Sequence, residues 1–325
     1  MDVLIEQEIT ATHATHATPI NSTPFIEANT LPASLEEIRM SHIIPVFVKT
    51  NEPLISHSEF VEALVEATNE VLTGEQIREP EIRVSHPIKG RIPEAKDKPA
   101  SELSDWEKTL YYERMAFVIT IPGIRDTIDG NELCLTVGGV KTYGTDNLNS
   151  RSTAEQHFKA FIGFQNRVCT NMCVWTDGYS QDICASNVGQ LHLSIRAMIE
   201  GYNLTAQLSR MKVLSELSIT EPQFAHIIGR CRMYHHLPAN LKATIAPLLF
   251  GDQQIGAVVR DYYRDRSFCR DGEGNINLWR LYNLLTGANK SSYIDTFLDR
   301  AVNASEFTEQ IAQSVSGQLP SWYMP

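Results

Sequence analysis

The hydrophobic period of the chain changes once, near Val188, and that change constrains the fold more than any single motif. Before it, apolar residues alternate in twos: Phe158, Ala160, Ile162 and Phe164 take turns with Lys159, Phe161, Gly163 and Gln165, the pattern of a strand with two distinct faces. After it, apolar residues recur every three to four positions, the spacing of one helix face. Strands first and helices afterwards imply an α+β fold, with a mostly antiparallel sheet in the N-terminal half and a helical C-terminal half.

Within the first half, Ile43–Val48 reads as a short strand with an irregular start at Pro45. Ser56 with Glu59 three positions later has the form of a capping box, so a helix is expected over 57–73, stopped at Gly74. Between Glu79 and Pro99, Pro80, Pro87, Pro93 and Pro99 each lack a ladder donor and leave room for an edge strand or a long loop. Ala116–Ile121 and Glu132–Tyr143 flank Asp129-Gly130, a pair that tolerates positive φ, and predict a hairpin. Gly138-Gly139 in its second strand marks a bulge or a close backbone approach, and His157–Val168 adds a further strand. Helices are expected over 188–217, 221–235, 240–249, 252–265, 277–287 and 292–315, the last with a break near Ala304. Residues 10–34 are rich in Thr, Ala, Pro and Asn without an apolar period. The expected division is thus a flexible tail 1–34, a β-rich region 35–187, a helical region 188–317 and a C-terminal tail 318–325.

A chain of 325 residues with 42% hydrophobic content can bury a full core. It contains no apolar run near the roughly 18 residues that a membrane span needs, and Met1–Thr10 carries acids where an export signal carries Lys or Arg. A cytoplasmic protein without a membrane partner is expected. Six cysteines (Cys134, Cys169, Cys173, Cys184, Cys231, Cys269) are too sparse for a disulfide scaffold and are expected to be thiols.

The net charge of −11 is unevenly spread. Residues 1–80 hold 13 acids against 3 bases. Over 223–270 the sign reverses: Arg230, Arg232, Lys242, Arg260, Arg264, Arg266 and Arg270 oppose Asp252, Asp261 and Asp265, a balance of +4. Tyr262, Tyr263, Tyr234 and Phe268 lie among them. Cations that neutralise phosphates, interleaved with rings that stack on bases, are what single-stranded nucleic acid requires. Against this stands the ordinary reading of Arg260 and Arg264, four residues apart on a helix: a solvated face paired with Asp261 and Asp265.

Other chemistry finds less support. Cys169, Cys173 and Cys184 with His192 invite a zinc reading, but Cys-x3-Cys is not the tight zinc knuckle and no second pair follows. Cys169 as a nucleophile would need His192 or His226 as base, oriented by Asp177 or Asn171. No glycine-rich turn leads into a helix with Lys-Ser/Thr, and no His-Glu-x-x-His helix occurs, so no cofactor and no metal are expected. Trp279, Tyr282, Leu284 and Leu285 have the spacing of a packed helix face.

Arg167-Val-Cys-Thr-Asn-Met-Cys173, after an extended segment, and Leu278-Trp-Arg-Leu-Tyr-Asn-Leu-Leu-Thr286 together resemble the phage/plasmid-like proteins of unknown function. Leu133-Cys-Leu-Thr-Val-Gly-Gly139 is similar to a branch met mainly in Bacteroidetes mobile elements. The resemblance covers roughly 110–315 and carries Arg167, Cys169, Asn171, Trp279, Tyr282 and Asn283 as motif residues. Where the family pattern reads Val-Cys-x-Asn-Thr-Leu, this chain has Met172 and Cys173 after Asn171. Membership implies a genomic setting beside replication, recombination or anti-restriction functions, and no catalytic role. The leading expectation is a non-enzymatic protein that binds single-stranded or junction DNA through its helical half. The rivals are an anti-defence protein that engages a host defence partner through its acidic first 80 residues, and a Cys169-dependent enzyme.

Overall fold

A two-residue turn starts the sheet: Asp129 and Gly130 adopt φ of +48° and +76°, and the two flanking strands pair antiparallel from Ile128 and Asn131 outward. The computed structural model describes residues 23–42, 54–145, 155–167 and 169–325. The strand expected at Ile43–Val48 lies outside the described residues, as does residue 168. In chain order the elements are β1 (Leu31–Ala33), α1 (Leu35–Ser41), α2 (His57–Val71), β2 (Glu81–Val84), β3 (Ile88–Arg91), β4 (Lys108–Tyr111), β5 (Arg114–Ile128), β6 (Asn131–Thr142), β7 (Gln156–Asn166), β8 (Met172–Cys173) and β9 (Tyr179–Ala185). They continue with α3 (Val188–Gly201), α4 (Leu204–Glu216), β10 (Ser218–Ile219), α5 (Glu221–Tyr234), α6 (Ala239–Lys242), α7 (Asp252–Arg264), β11 (Ile276–Asn277), α8 (Leu278–Asn289) and α9 (Ile294–Val315). The α+β division holds: strands dominate the first half and helices the second.

The main sheet runs β1-β2-β5-β6-β7, with β8 and β9 pairing opposite ends of β7, and every pairing is antiparallel. Period-two alternation sorts its side chains onto two buried faces. Met115, Phe117, Ile119, Leu133, Leu135, Val137, Phe158 and Ile162 meet Phe60 and Leu64 of α2 and Leu191 and Ile195 of α3. Phe60 stands edge-on to Phe117 and Phe158 at 5.1 and 5.0 Å. On the opposite face Ala116, Val118, Val140 and Phe161 meet Ile294, Phe297, Leu298 and Ala301 of α9, together with Phe25 and Ile26. In the helical half, α8 is buried on all sides, the mark of a central helix. A two-stranded ribbon, β10 with β11, ties the α4–α5 turn to the start of α8.

Several expectations change for identifiable reasons. Residues 23–34 are not a tail: Phe25 and Ile26 are buried, and β1 forms the sheet edge with Pro32 inside it. β2 is therefore one strand in from the edge, flanked by Pro80 and Pro87 rather than interrupted by them. The C-terminal segment is also packed: Tyr323 is buried and its hydroxyl donates to the Ala246 carbonyl at 2.8 Å. The helix expected over 188–217 is two, because the Asn203 side chain caps the second by accepting from Ala206 N–H. The one expected over 240–249 stops at Lys242, upstream of Pro247, whereas α9 runs unbroken past Ala304. Gly138-Gly139 proves to be a close approach, with the Phe60 ring on Gly139, and the bulge falls instead at Pro122–Ile124 in β5. The Ser56–Glu59 capping box forms as expected.

Beside α2, His57 is fully buried and stacks on His42 at 4.7 Å between ring centres. His57 Nε2–H donates to the Tyr112 carbonyl, and Tyr112 N–H donates to His42 Nδ1, so the His42 ring accepts through an unprotonated nitrogen. Burial pushes His42 down to about 4. It pushes His57 well below its ordinary value, with the neighbouring His42 and Lys141 adding to the effect.

Two outcomes follow. Gly139→Val drives methyls into Phe60 and is expected to lower unfolding free energy by about 1–3 kcal/mol in urea titration. Because both histidines bind protons more weakly folded than unfolded, stability is expected to fall as pH drops from about 6.5 towards about 4. His42→Gln should flatten part of that fall when urea midpoints are compared across this window.

Candidate functional site

The motif residues converge on a seam between the end of β7 and α8. After Asn166 the chain turns tightly: Thr170 N–H donates to Asn166 O, and Asn166 N–H donates to Asn171 O. Thr170 holds φ +55° to do so. The turn presents Asn171 to α8, where its amide donates to the Asn283 carbonyl at 2.9 Å, and Asn283 in turn donates to Trp279 O. Trp175 packs on Tyr282 at 4.9 Å. Only Arg167 faces solvent, pairing with Glu132 at 2.9 Å. At the far end of α8, buried Lys290 donates to Cys169 O, Thr170 Oγ1 and Thr23 Oγ1. Its own carbonyl accepts from Glu27 and Ala28. Burial lowers the Lys290 pKa.

This seam is built for packing rather than for nucleophilic chemistry. Burial raises the Cys169 thiol pKa, and that of Cys173 still further, so neither is a ready thiolate. The bases proposed for Cys169 lie with other partners: His192 is 3.6 Å from Glu70, and His226 accepts from Arg230. The Asp177 side chain lies outside the described residues. Cys184 sits on β9 opposite His157, while Cys173 sits opposite Phe164. Those positions are seven steps apart along β7, about 23 Å of strand, so the three cysteines do not meet. Among the described residues no group of three His, Cys, Asp or Glu could hold a metal ion.

The basic stretch divides into two groups. Around α7, Arg260 lies bidentate on Asp261 at 2.7 and 2.8 Å, and Arg270 pairs with Glu221 at 3.2 Å. Tyr263, half exposed, donates its hydroxyl to the same Glu221. Tyr262 was expected to stack on bases, but it is fully buried against Phe224 at 4.0 Å and donates to Gly274 O. Its position on α7 faces the core because it shares a helix face with Ile255 and Val258. Arg264 and Arg266 are exposed.

At the other end of α5, about 20 Å away by helix length, the cations rest on rings. The Arg230 guanidinium lies 4.7 Å over Trp322, and the Lys242 ammonium 4.7 Å over Tyr234. Arg232 and His236 are exposed nearby. Residues 222–251 and 316–325 contain no Asp or Glu. Beside them opens a cleft of about 320 Å³ lined by Thr244, Gln310, Gln313, Ser321, Trp322 and Tyr323. Trp322 had been assigned to a tail; the signal for it was an aromatic pair between two prolines.

The acidic region is no separate module either, since residues 23–72 supply β1, α1 and α2. Its acids are partly engaged, Glu62 by Arg39 and Glu70 by Arg196.

A family model described as "Domain of unknown function, B. Theta Gene description (DUF3871)" matches residues 5–324. The chain belongs to the DUF3871 family. The match includes the acidic N-terminal region that the sequence resemblance left out, and its description names no phage or plasmid origin. No curated protein and no solved structure matches the chain. In this DUF3871 member, the two most recognisable sequence motifs thus form the junction between sheet and helices.

Lys290→Met should destabilise the fold by about 1–3 kcal/mol through lost charge-assisted hydrogen bonds. Hydrogen exchange should rise selectively over residues 23–28, and equal exchange in both proteins would contradict the clamp.

Proposed function

We propose that this DUF3871 protein binds single-stranded nucleic acid through the cation–aromatic surface at the C-terminal end of α5, without catalysis. Arg230, Arg232 and Lys242 supply phosphate contacts, and Trp322 with the adjoining cleft receives a base. The observation that carries this reading is the kind of partner these cations have. Arg230 and Lys242 lie over rings, which leave their charge available to an external anion, whereas Arg260, and Arg270 despite its own contact with the Tyr263 ring, are each paired with a carboxylate. The absence of acids from 222–251 and 316–325 supports it further. The resemblance of the two seam motifs to phage- and plasmid-encoded proteins adds the setting: a mobile-element accessory acting on single-stranded or junction DNA. The α7 arginines, Tyr262 and Tyr263 are not part of the proposed surface.

Anisotropy of a labelled oligothymidylate, titrated at several salt concentrations, tests the proposal. The wild-type affinity should fall steeply between about 50 and 200 mM salt. Replacing Arg230, Arg232 and Lys242 by Ala should flatten the log–log slope by about 2, and Trp322→Ala should cost about 1–3 kcal/mol. Arg260→Ala should change little. Salt-independent affinity, or equal losses in the α7 and α5 variants, would overturn the assignment.

A further inference from the structure

One cysteine differs in kind from the other five. Cys134, Cys173 and Cys231 are buried, and Cys169 and Cys269 are partly covered, whereas Cys184 is exposed. Burial raises Cys134, Cys169 and Cys173 and pushes Cys231 up to about 12. Cys184 sits on β9, which among the described residues pairs with β7, and its register partner there is His157. Cross-strand side chains on one face stand directly opposite each other, and Cys184 Sγ lies 3.6 Å from His157 Nδ1. An accessible thiol beside an imidazole is the arrangement in which a base can take the thiol proton and the sulfur can react.

We propose that Cys184 and His157 form a reactive-thiol site that undergoes thiol–disulfide exchange with small, solvent-borne disulfides. His157 Nδ1 accepts the proton from Cys184 Sγ, and the thiolate attacks one sulfur of R–S–S–R. The Cys184–S–S–R bond forms as the R–S–S–R bond breaks, and the departing R–S⁻ takes the proton from the His157 imidazolium. The small disulfide is the oxidant: one of its sulfurs leaves as a thiol while Cys184 is carried into the mixed disulfide. Excess R–SH runs the same step backwards. Cys173 lies at the opposite end of β7 and Cys134 is buried within β6, so neither is placed to resolve the adduct. The site therefore stores a reversible modification. It is independent of the proposed nucleic-acid surface.

The full-length native protein is treated with 5,5′-dithiobis(2-nitrobenzoate), and the released chromophore is followed. One rapid equivalent is expected, mapped by peptide mass to Cys184, absent from Cys184→Ser and retained in Cys169→Ser. His157→Gln should slow that equivalent about tenfold at pH 7, with the gap closing above about pH 8.5, where thiols ionise unaided. A rapid equivalent that survives in Cys184→Ser overturns the site. A rate and pH profile unchanged in His157→Gln overturns the dyad. A His157→Gln chain that had merely unfolded would release several rapid equivalents rather than one slow one, and Cys184→Ser then decides alone.

Discussion

The fold turns on a small number of buried hydrogen bonds between the β7–β8 turn and α8. An amide in a core must find partners or pay its desolvation in full. Asn171 does so by donating to the Asn283 carbonyl of α8, and Asn283 by donating to Trp279 O within its own helix. The Asn171 bond fixes where the sheet meets the helical half, because a shift of either element would strand it. Lys290 extends the same logic to a third segment, drawing residues 23–28 onto the seam through both its ammonium and its carbonyl. Motifs that look chemically promising, with cysteines, asparagines and aromatics in a row, are thus explained by the demands of a polar junction inside an apolar core.

With those motifs absorbed by architecture, the surfaces left for function are set by what neutralises each charge. A guanidinium on a carboxylate projects little field, and one on an aromatic ring keeps its charge. The seven bases of the basic stretch are nearly equivalent in sequence. In space Arg260 and Arg270 pair with carboxylates around α7, while Arg230 and Lys242 rest on rings near the far end of α5. The same principle singles out Cys184: thiols alike in sequence differ by burial and by the His157 imidazole beside this one.

Much of the fold was legible because local rules carried it. The Asp129-Gly130 turn, the Ser56–Glu59 capping box and the alternation in β7 depend on residues within a few positions of one another. The errors came where long-range packing overrode composition. Residues 23–34 look like a tail because their apolar partners, Phe297 among them, lie some 270 positions away. Tyr323 looks free because the carbonyl it bonds is on the α6–α7 connection. Tyr262 looks like a base-stacking ring beside arginines, and its helix phase turns it inward.

The sequence by itself determined the α+β order, the hairpin, the caps and the family motifs, since periodicity and turn chemistry act over short distances. Tertiary structure alone decided that Cys169 is shielded while Cys184 meets His157, and which arginines pair with a carboxylate. Exposure and ion pairing are properties of neighbours brought together by folding, and no spacing along the chain encodes them.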